Sequence, residues 1–534
     1  MPRPDNGEEP LLSASEVQTG VVRAVGSIGI ATLVSRILGF IRDMSVAHAF
    51  GAGLVTDAFL VAFRIPNLFR RLLAEGALST AFVPIFTEYL TTRPREEFQR
   101  MVRSVMGAML VVLVGATLLG VTVAPVIVRL MAPGFWADPG KAILAVRLTQ
   151  MMFPYLCFIG LAALAMGLLN AHRNFFTPAL GPTMLNIAMI ASVFLLSPHI
   201  DPPIFGLAIG VLAGGLGQFL IQLPAVSRQG TTLGPTFDFS HPVLPRIGRL
   251  MTPTLFGMAV TQLNIFVDTI LASLLPEGSV SYLYYADRIV EFPLGVFGIA
   301  IATAALPSMA AQAARQDLPG LKETLNFAIR LSCFVMVPAS IGILLLRVPI
   351  VRLFFERGDF GPDATMKTAW ALGFFAIGLV SFAGAKIVAQ AFYSLGDVRT
   401  PVRLAVATML LNILLNLLFM RWLAHGGLAL ATSCSSTVNF LGLLFFFRRH
   451  TGLIGGRLLL ASVIRILAAS LSFVPVVLFC LWVWPVGVSR WIDVVWLFLT
   501  IGASVAVYLA ISFSMKGKEG PALLALLTRG RRLR

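Results

Sequence analysis

The stretch Ser35-Arg36-Ile37-Leu38-Gly39-Phe40-Ile41-Arg42-Asp43 decides how this chain is read, because it sets two arginines and an aspartate inside an apolar run long enough to cross a membrane. An ionised side chain within a spanning helix costs about 2.5–3.5 kcal/mol on insertion scales, so it persists where it faces a wet, protein-lined cavity and serves a purpose there. Arg36 and Asp43 share one helical face, with Arg42 about a third of a turn away. A second stripe follows. Asp57, Arg64, Arg71 and Glu75 lie along the next apolar run, joined by Asn67, with Arg70 one residue aside and Pro66 interrupting the ladder. Arginines so concentrated in the first two candidate spans point to an anionic ligand.

The rest of the chain supports the membrane reading. Of 534 residues, 57% are hydrophobic and 12% charged, and the mean hydropathy is +0.86. No soluble globular domain of ordinary composition is so apolar. An all-α polytopic membrane protein is expected, with about 14 transmembrane helices over 25–50, 54–90, 104–132, 143–170, 180–197, 203–227, 248–275, 280–312, 324–355, 368–394, 401–420, 426–447, 459–484 and 491–514.

The net charge of +16 does not mark a nucleic-acid partner, because it is distributed by connection. Arg93, Arg95, Arg100 and Arg103 follow span two, Arg228, Arg246 and Arg249 follow span six, and Arg448, Arg449 and Arg457 follow span twelve. The intervening connections, such as Pro276-Glu277-Gly278, are nearly free of Lys and Arg. Cytoplasmic loops carry the excess of basic residues, so both termini are expected in the cytoplasm. Arg357 and Lys367, beside span nine, run against the pattern. Residues 1–24 read as a polar cytoplasmic tail with no cleavable signal, and 516–534 as a basic cytoplasmic tail lying on anionic lipid. Cys157, Cys333, Cys434 and Cys480 sit in apolar runs without metal-ligand spacing and read as core residues.

The chain also repeats itself. A shift of about 223 residues brings Thr80-Ala81-Phe82-Val83-Pro84 onto Thr303-Ala304-Ala305-Leu306-Pro307 and Thr177-Pro178 onto Thr400-Pro401. Arg, Asp and Pro are costly within spans, which makes such matches more than shared composition. Two pseudo-symmetric six-helix lobes are therefore expected, over 25–228 and 246–449, with spans thirteen and fourteen, 457–515, added outside the repeat. Parallel repeats of this kind place a substrate site between the halves near mid-depth, reached alternately from each side.

The second lobe contributes Asp287, Arg288 and Glu291 within a turn and a half, and Lys386 in span ten. A guanidinium presents paired planar donors that match phosphate oxygens and stays ionised at any relevant pH, so the set suits a phosphate or pyrophosphate. The same residues also fit structural ion pairs or snorkelling side chains. Asp268, Asn412, Asn416 and Thr432 offer oxygen ligands for a cation, and equally fit hydrogen bonds between helices. No phosphate-binding Gly-rich loop is present, and the cytoplasmic connections lack the Asp and His clusters of a polyprenyl-phosphate enzyme. A transporter rather than an enzyme is the expected class.

At the level of motifs the chain resembles the MurJ/MviN lipid II flippases. The resemblance is carried by the run from Ser35 to Asp43, by Phe50-Gly51-Ala52-Gly53, Thr56-Asp57-Ala58-Phe59 and Pro66-Asn67-Leu68-Phe69-Arg70-Arg71-Leu72-Leu73-Ala74-Glu75-Gly76-Ala77, and by Tyr285-Ala286-Asp287-Arg288 with Glu291-Phe292-Pro293. It extends to Asn170 through Asn186 and to Asp397-Val398-Arg399-Thr400-Pro401. The resemblance implies a MOP-superfamily exporter in a bacterial plasma (inner) membrane, acting as a monomer. It would move lipid II, an undecaprenyl-pyrophosphate-linked peptidoglycan precursor, to the outer leaflet. By motif position Arg42, Arg70 and Arg288 would hold the pyrophosphate, Asp43 would position them and Arg36 would lie nearby. The helical stripe favours Arg71 where the motif favours Arg70. Spans thirteen and fourteen would form a groove for the lipid tail. Some relatives are thought to bind sodium at the positions of Asp268, Asn412, Asn416 and Thr432; a carboxylate expected at the second asparagine is Asn416 here. A polysaccharide or drug exporter of the same superfamily shares the architecture but does not require arginines in span one.

Overall fold

A computed structural model describes residues 14–71, 78–484, 489–515, 517 and 519–521, with the side chains of 14–28, 30, 78–80, 253 and 255–261 outside the description. Glu75 and all the basic residues after 515 fall outside it. The described chain is helical, without a strand. In order, the helices are α1 (Ala14–Phe50), α2 (Leu54–Arg70), α3 (Leu78–Thr92), α4 (Arg95–Met131), α5 (Pro139–Met152), α6 (Tyr155–Ala171), α7 (Phe176–Ala179), α8 (Gly181–Leu195), α9 (Ile204–Leu220) and α10 (Leu223–Arg228). There follow α11 (Val243–Ser273), α12 (Ser279–Pro293), α13 (Ile299–Ala314), α14 (Leu318–Phe355), α15 (Pro362–Ser394), α16 (Arg399–Leu423), α17 (His425–Thr451), α18 (Gly456–Leu471), α19 (Val474–Trp482) and α20 (Arg490–Ser514).

Proline sets several of these boundaries. Pro139 and Pro362 occupy first-turn positions, where the missing N–H removes no internal bond. Pro66 lies inside α2, and the helix nevertheless runs on to Arg70. The repeat is visible in the helix starts: Arg95 and Leu318, Pro139 and Pro362, and Phe176 and Arg399 are each separated by the same offset of about 223 residues.

Among the described residues, eleven helical stretches are long and apolar enough to cross a membrane. The expected spans over 25–50, 54–90 and 248–275 are not in that group. These are charge-bearing stretches: α1 holds Arg36, Arg42 and Asp43, α2 holds Asp57, Arg64 and Arg70, and α11 holds Arg246, Arg249 and Asp268. Parts of all three stretches lie outside the described side chains, and α2 and α3, at 17 and 15 residues, are each shorter than a span.

The chain forms two compact units. One comprises 1–46, 61–128 and 142–263; the other comprises 47–60, 129–141 and 264–534. The second thus recruits two short pieces of the amino-terminal half, which the division at 228 and 246 does not anticipate. In the first unit α8 packs on α9 and α6 on both α9 and α3. In the second, α15 packs on α14 and α17, α17 on α16, and α18, α19 and α20 all dock on α14. The carboxy-terminal helices are therefore part of this unit rather than a separate body.

Candidate functional site

In the first unit α1 presents Arg42, 8% exposed, beside Asp43, 3% exposed. Arg42 Nε and Nη2 donate to Asp43 Oδ1 at 3.0 and 2.7 Å, and Nη1 donates to Asn186 Oδ1 at 3.0 Å. Asn186 in turn donates to the Ser35 carbonyl at 2.9 Å. Gly39 lies against the Asn186 amide, where a Cβ would meet it at 3.5 Å, an ordinary contact, so the approach does not depend on the glycine. The asparagine holds both the backbone of α1 and the guanidinium, fixing the latter's rotamer.

Arg36 is exposed and lines a cavity of about 390 Å³ with Ser35, Asn170, Phe175 and Pro178. On α2, Arg70 Nε donates to Asn67 Oδ1 at 3.0 Å, and Arg64, Arg70 and Arg71 are all half-buried. Among the described members of the candidate set in this unit there are five guanidinium groups and one carboxylate, Asp43.

In the second unit α12 carries Arg288, half-buried, whose Nη1 donates to Glu291 at 2.7 Å and whose Nη2 donates to Tyr284 Oη at 3.1 Å. Its guanidinium also lies 4.9 Å from the Tyr284 ring centroid. Asp287 is exposed.

Asp57, one end of the sequence stripe, belongs to the second unit and does a different job. It is 1% exposed. Oδ2 accepts from Lys141 Nζ at 2.7 Å and from the Gly278 N–H at 2.8 Å, while Oδ1 accepts from the Ser281 N–H at 2.9 Å and its hydroxyl at 2.7 Å. Gly278 is the N-cap of α12, with φ +85, so a carboxylate from another helix satisfies the orphan donors of its first turn and meets the positive end of its dipole. Glu277 returns the favour, accepting from the Leu54 N–H at the start of α2 at 2.7 Å. No motif marks Asn186, Tyr284, Lys141 or Ser281: the first, second and fourth are polar residues within apolar runs, while Lys141 lies in the connection between the expected spans three and four.

The candidate cation residues also meet. Asn416 Nδ2 donates to Asp268 Oδ1 and to Asn412 Oδ1, both at 2.9 Å, and Asn412 lies 3.5 Å from the Thr432 hydroxyl. Exchanging O and N of Asn412 turns its N–H toward Asp268 and Asn264 and its oxygen toward Ser435. In either orientation an amide N–H faces the carboxylate, where a hard cation requires oxygen lone pairs. Among the described residues Asn416 Oδ1 is buried without a hydrogen bond. As they stand the amides tie the group together by hydrogen bonds, while one carboxylate, two amides and a hydroxyl are also oxygen donors of the kind a hard cation accepts.

Between α10 and α11, Asp238 accepts from the Ser240 hydroxyl and N–H at 2.5 and 3.1 Å and from Arg100 at 3.2 Å. Those bonds, with Ser240 the larger cause, hold its carboxyl below its ordinary range.

Comparison with known proteins adds a family to this geometry. The description of the lipid II flippase MurJ family matches residues 46–495. A probable lipid II flippase MurJ from Vibrio cholerae is 39% identical over 438 residues, 81% of this chain and 82% of its own length. A solved structure of lipid II flippase MurJ in an inward closed conformation superposes with a TM-score of 0.76 at 29% identity, covering 91% of this chain and 97% of that one. An inward-facing multidrug-resistance MATE transporter of the MOP superfamily, 16% identical, matches with a TM-score of 0.67 and covers 81% of this chain and 98% of its own; this likeness is one of fold alone.

Proposed function

The chain belongs to the lipid II flippase MurJ family, and we propose that it carries lipid II, a precursor of peptidoglycan, from the cytoplasmic to the outer leaflet of a bacterial inner membrane, with both termini in the cytoplasm. The observation that carries the reading is the match to the family over residues 46–495, beside which α1 and α2 set Arg36, Arg42, Arg64 and Arg70 within otherwise apolar stretches of the first unit. Guanidinium groups so placed are costly unless they face a wet, protein-lined space, and their paired planar donors suit a phosphate or pyrophosphate there.

A lipid flippase has an asymmetric task. The sugar, peptide and pyrophosphate cannot enter hydrocarbon, whereas the polyprenyl tail need never leave it. In the first unit Arg36 and Arg70 offer donors to a pyrophosphate, and Asp43 with Asn186 orients Arg42 toward the same role; in the second unit Arg288, held by Glu291 and Tyr284, is the group of the same kind. Alternating exposure to the two sides then moves the head while the tail follows in lipid. No bond in the substrate is made or broken, so the chain is a monomeric transporter rather than an enzyme.

The test is translocation of lipid II in proteoliposomes by wild type and by Arg42→Ala, Arg70→Ala and Arg288→Ala. Each lost charge-assisted contact is worth about 1.5–3 kcal/mol, so rates should fall about ten- to a hundredfold. Unchanged transport in all three removes the anion site. Equal transport of an analogue with a neutral linker in place of pyrophosphate would also defeat it.

A further inference from the structure

Arg357 breaks the charge pattern of the connections, and the structure gathers it with two other arginines at the end of α14. There a cavity of about 560 Å³ opens between α14 and the α19–α20 hairpin. Leu345, Val348, Leu353 and Leu481 make its apolar wall, and Arg352, Glu356, Arg490 and Asp493 supply its charges. Three features show that these charges do not complete one another.

First, Arg352 Nε and Glu356 Oε2 lie 3.5 Å apart, too far for a good hydrogen bond, and both atoms are buried with no hydrogen-bond partner. A donor and an acceptor are left unsatisfied side by side. Second, Arg357 Nε is likewise buried without a partner, and its Nη2 donates to the Leu353 carbonyl at 2.9 Å. Burial, and then the charge of Arg490, push Arg357 below an arginine's ordinary value. Third, Asp493 is engaged by Trp484, whose Nε1 donates to it at 2.7 Å. The lining therefore carries two guanidinium groups and two carboxylates, with Arg357 outside it and near Arg490, so the cleft suits a ligand that bears both signs of charge. The unmet needs are an oxyanion for the guanidinium groups and an N–H donor for Glu356.

The position of the cavity narrows the source of such a ligand. Trp482, Trp484 and Trp491 are three of the seven tryptophans in the chain, and their clustering marks head-group depth in a bilayer. Trp482 and Trp491 are 83% and 79% exposed, and the flanking Leu478 and Phe479 are exposed too, as side chains facing lipid would be. The charge pattern of the connections places this end outside. We propose that the cleft binds one phospholipid whose head carries both a phosphate and a primary ammonium, as phosphatidylethanolamine does. The phosphate meets Arg490 and Arg352, the ammonium meets Glu356, and an acyl chain lies along the leucine wall. The site needs only the membrane-spanning character of the chain and is independent of what the chain transports.

The experiment uses the full purified chain, delipidated in detergent, with phosphatidylethanolamine, phosphatidylcholine or phosphatidylglycerol added back. Bound lipid is counted by native mass spectrometry, and the thermal midpoint is followed in parallel. Phosphatidylethanolamine should bind one per chain, about tenfold more tightly than phosphatidylcholine, whose trimethylammonium cannot donate to Glu356. Phosphatidylglycerol, with the phosphate but no ammonium, should be weaker as well. Glu356→Gln should abolish the preference between the ethanolamine and choline lipids, and Arg490→Gln should weaken all three. Equal binding of the three lipids by wild type overturns the proposal without recourse to any variant. So does tighter binding of phosphatidylglycerol, or a Glu356→Gln protein that keeps the full preference.

Discussion

Asp57 and Arg42 are both sealed from solvent, at 1% and 8% exposure, yet they hold their charges in opposite ways. Asp57, in the second unit, has a lysine, two backbone N–H groups and a hydroxyl, and so every lone pair that faces the protein is met. Arg42, in the first, meets the Asp43 carboxylate and the Asn186 amide oxygen on a helix that also carries the exposed Arg36. The difference separates two uses of a charge in an apolar chain. A complete set of partners makes a structural joint; a surplus of one sign makes a place for a ligand.

The comparison can be broken most forcefully at Asp57. Replacing it with Ala strands the Lys141 ammonium and the first turn of α12, and removal of one partner from a buried pair costs about 3–5 kcal/mol. Thermal unfolding in detergent should show a large drop for Asp57→Ala and partial recovery when Lys141→Met is added to Asp57→Asn. An unchanged midpoint would mean that the network is not a joint. At Asn186 the effect is intermediate. Asn186→Leu deletes two hydrogen bonds and leaves the Ser35 carbonyl and one Arg42 donor without them, worth about 1–3 kcal/mol. Stability should fall by that much, and lipid II transport should fall less than for Arg42→Ala, since the guanidinium remains but is no longer oriented. Transport equal to wild type would show that Asn186 only packs.

The smallest effect belongs to Asp238, an exposed counterpart of Asp57. Its carboxyl is held low in the folded protein, so its contribution to stability is complete above the ordinary carboxylate value, about pH 4, and is lost as pH falls through the lower folded value. Unfolding midpoints of wild type and Asp238→Asn should therefore differ by a constant amount from pH 5 upward and converge on acidification. Curves that stay parallel across the acid range would exclude the link.

Helices were legible where composition was simple. The stretches expected from 104 to 514 end within a few residues of α4–α10 and α12–α20, apart from the longer starts of α4, α5, α14 and α15, because about 20 apolar residues have one stable form in hydrocarbon. The stretch at 54–90 is harder, because 72–77 lie outside the description and the helices on either side, α2 and α3, are 17 and 15 residues long. In the candidate site, Arg42, Asp43, Arg70 and Arg288 stand out as charges in apolar runs. The stripe from Asp57 to Arg71 does not survive as a unit, since Asp57 belongs with Lys141 and Ser281 while Arg64 and Arg70 belong to the other unit. Helical spacing tells which residues share a face, and nothing about where another segment will bring a donor.

The sequence by itself determined that this chain is a bundle of membrane helices with more guanidinium groups in them than their own carboxylates can balance. Apolar length, charge and repeat are properties of local order along the chain. Which charge is neutralised was decided only by the tertiary structure, which brings Asn186 to Arg42 across 144 positions, Lys141 to Asp57 across 84 and Ser281 to Asp57 across 224. A hydrogen bond is won or lost within about an ångström, and no periodicity in the sequence encodes a distance that fine between segments so far apart.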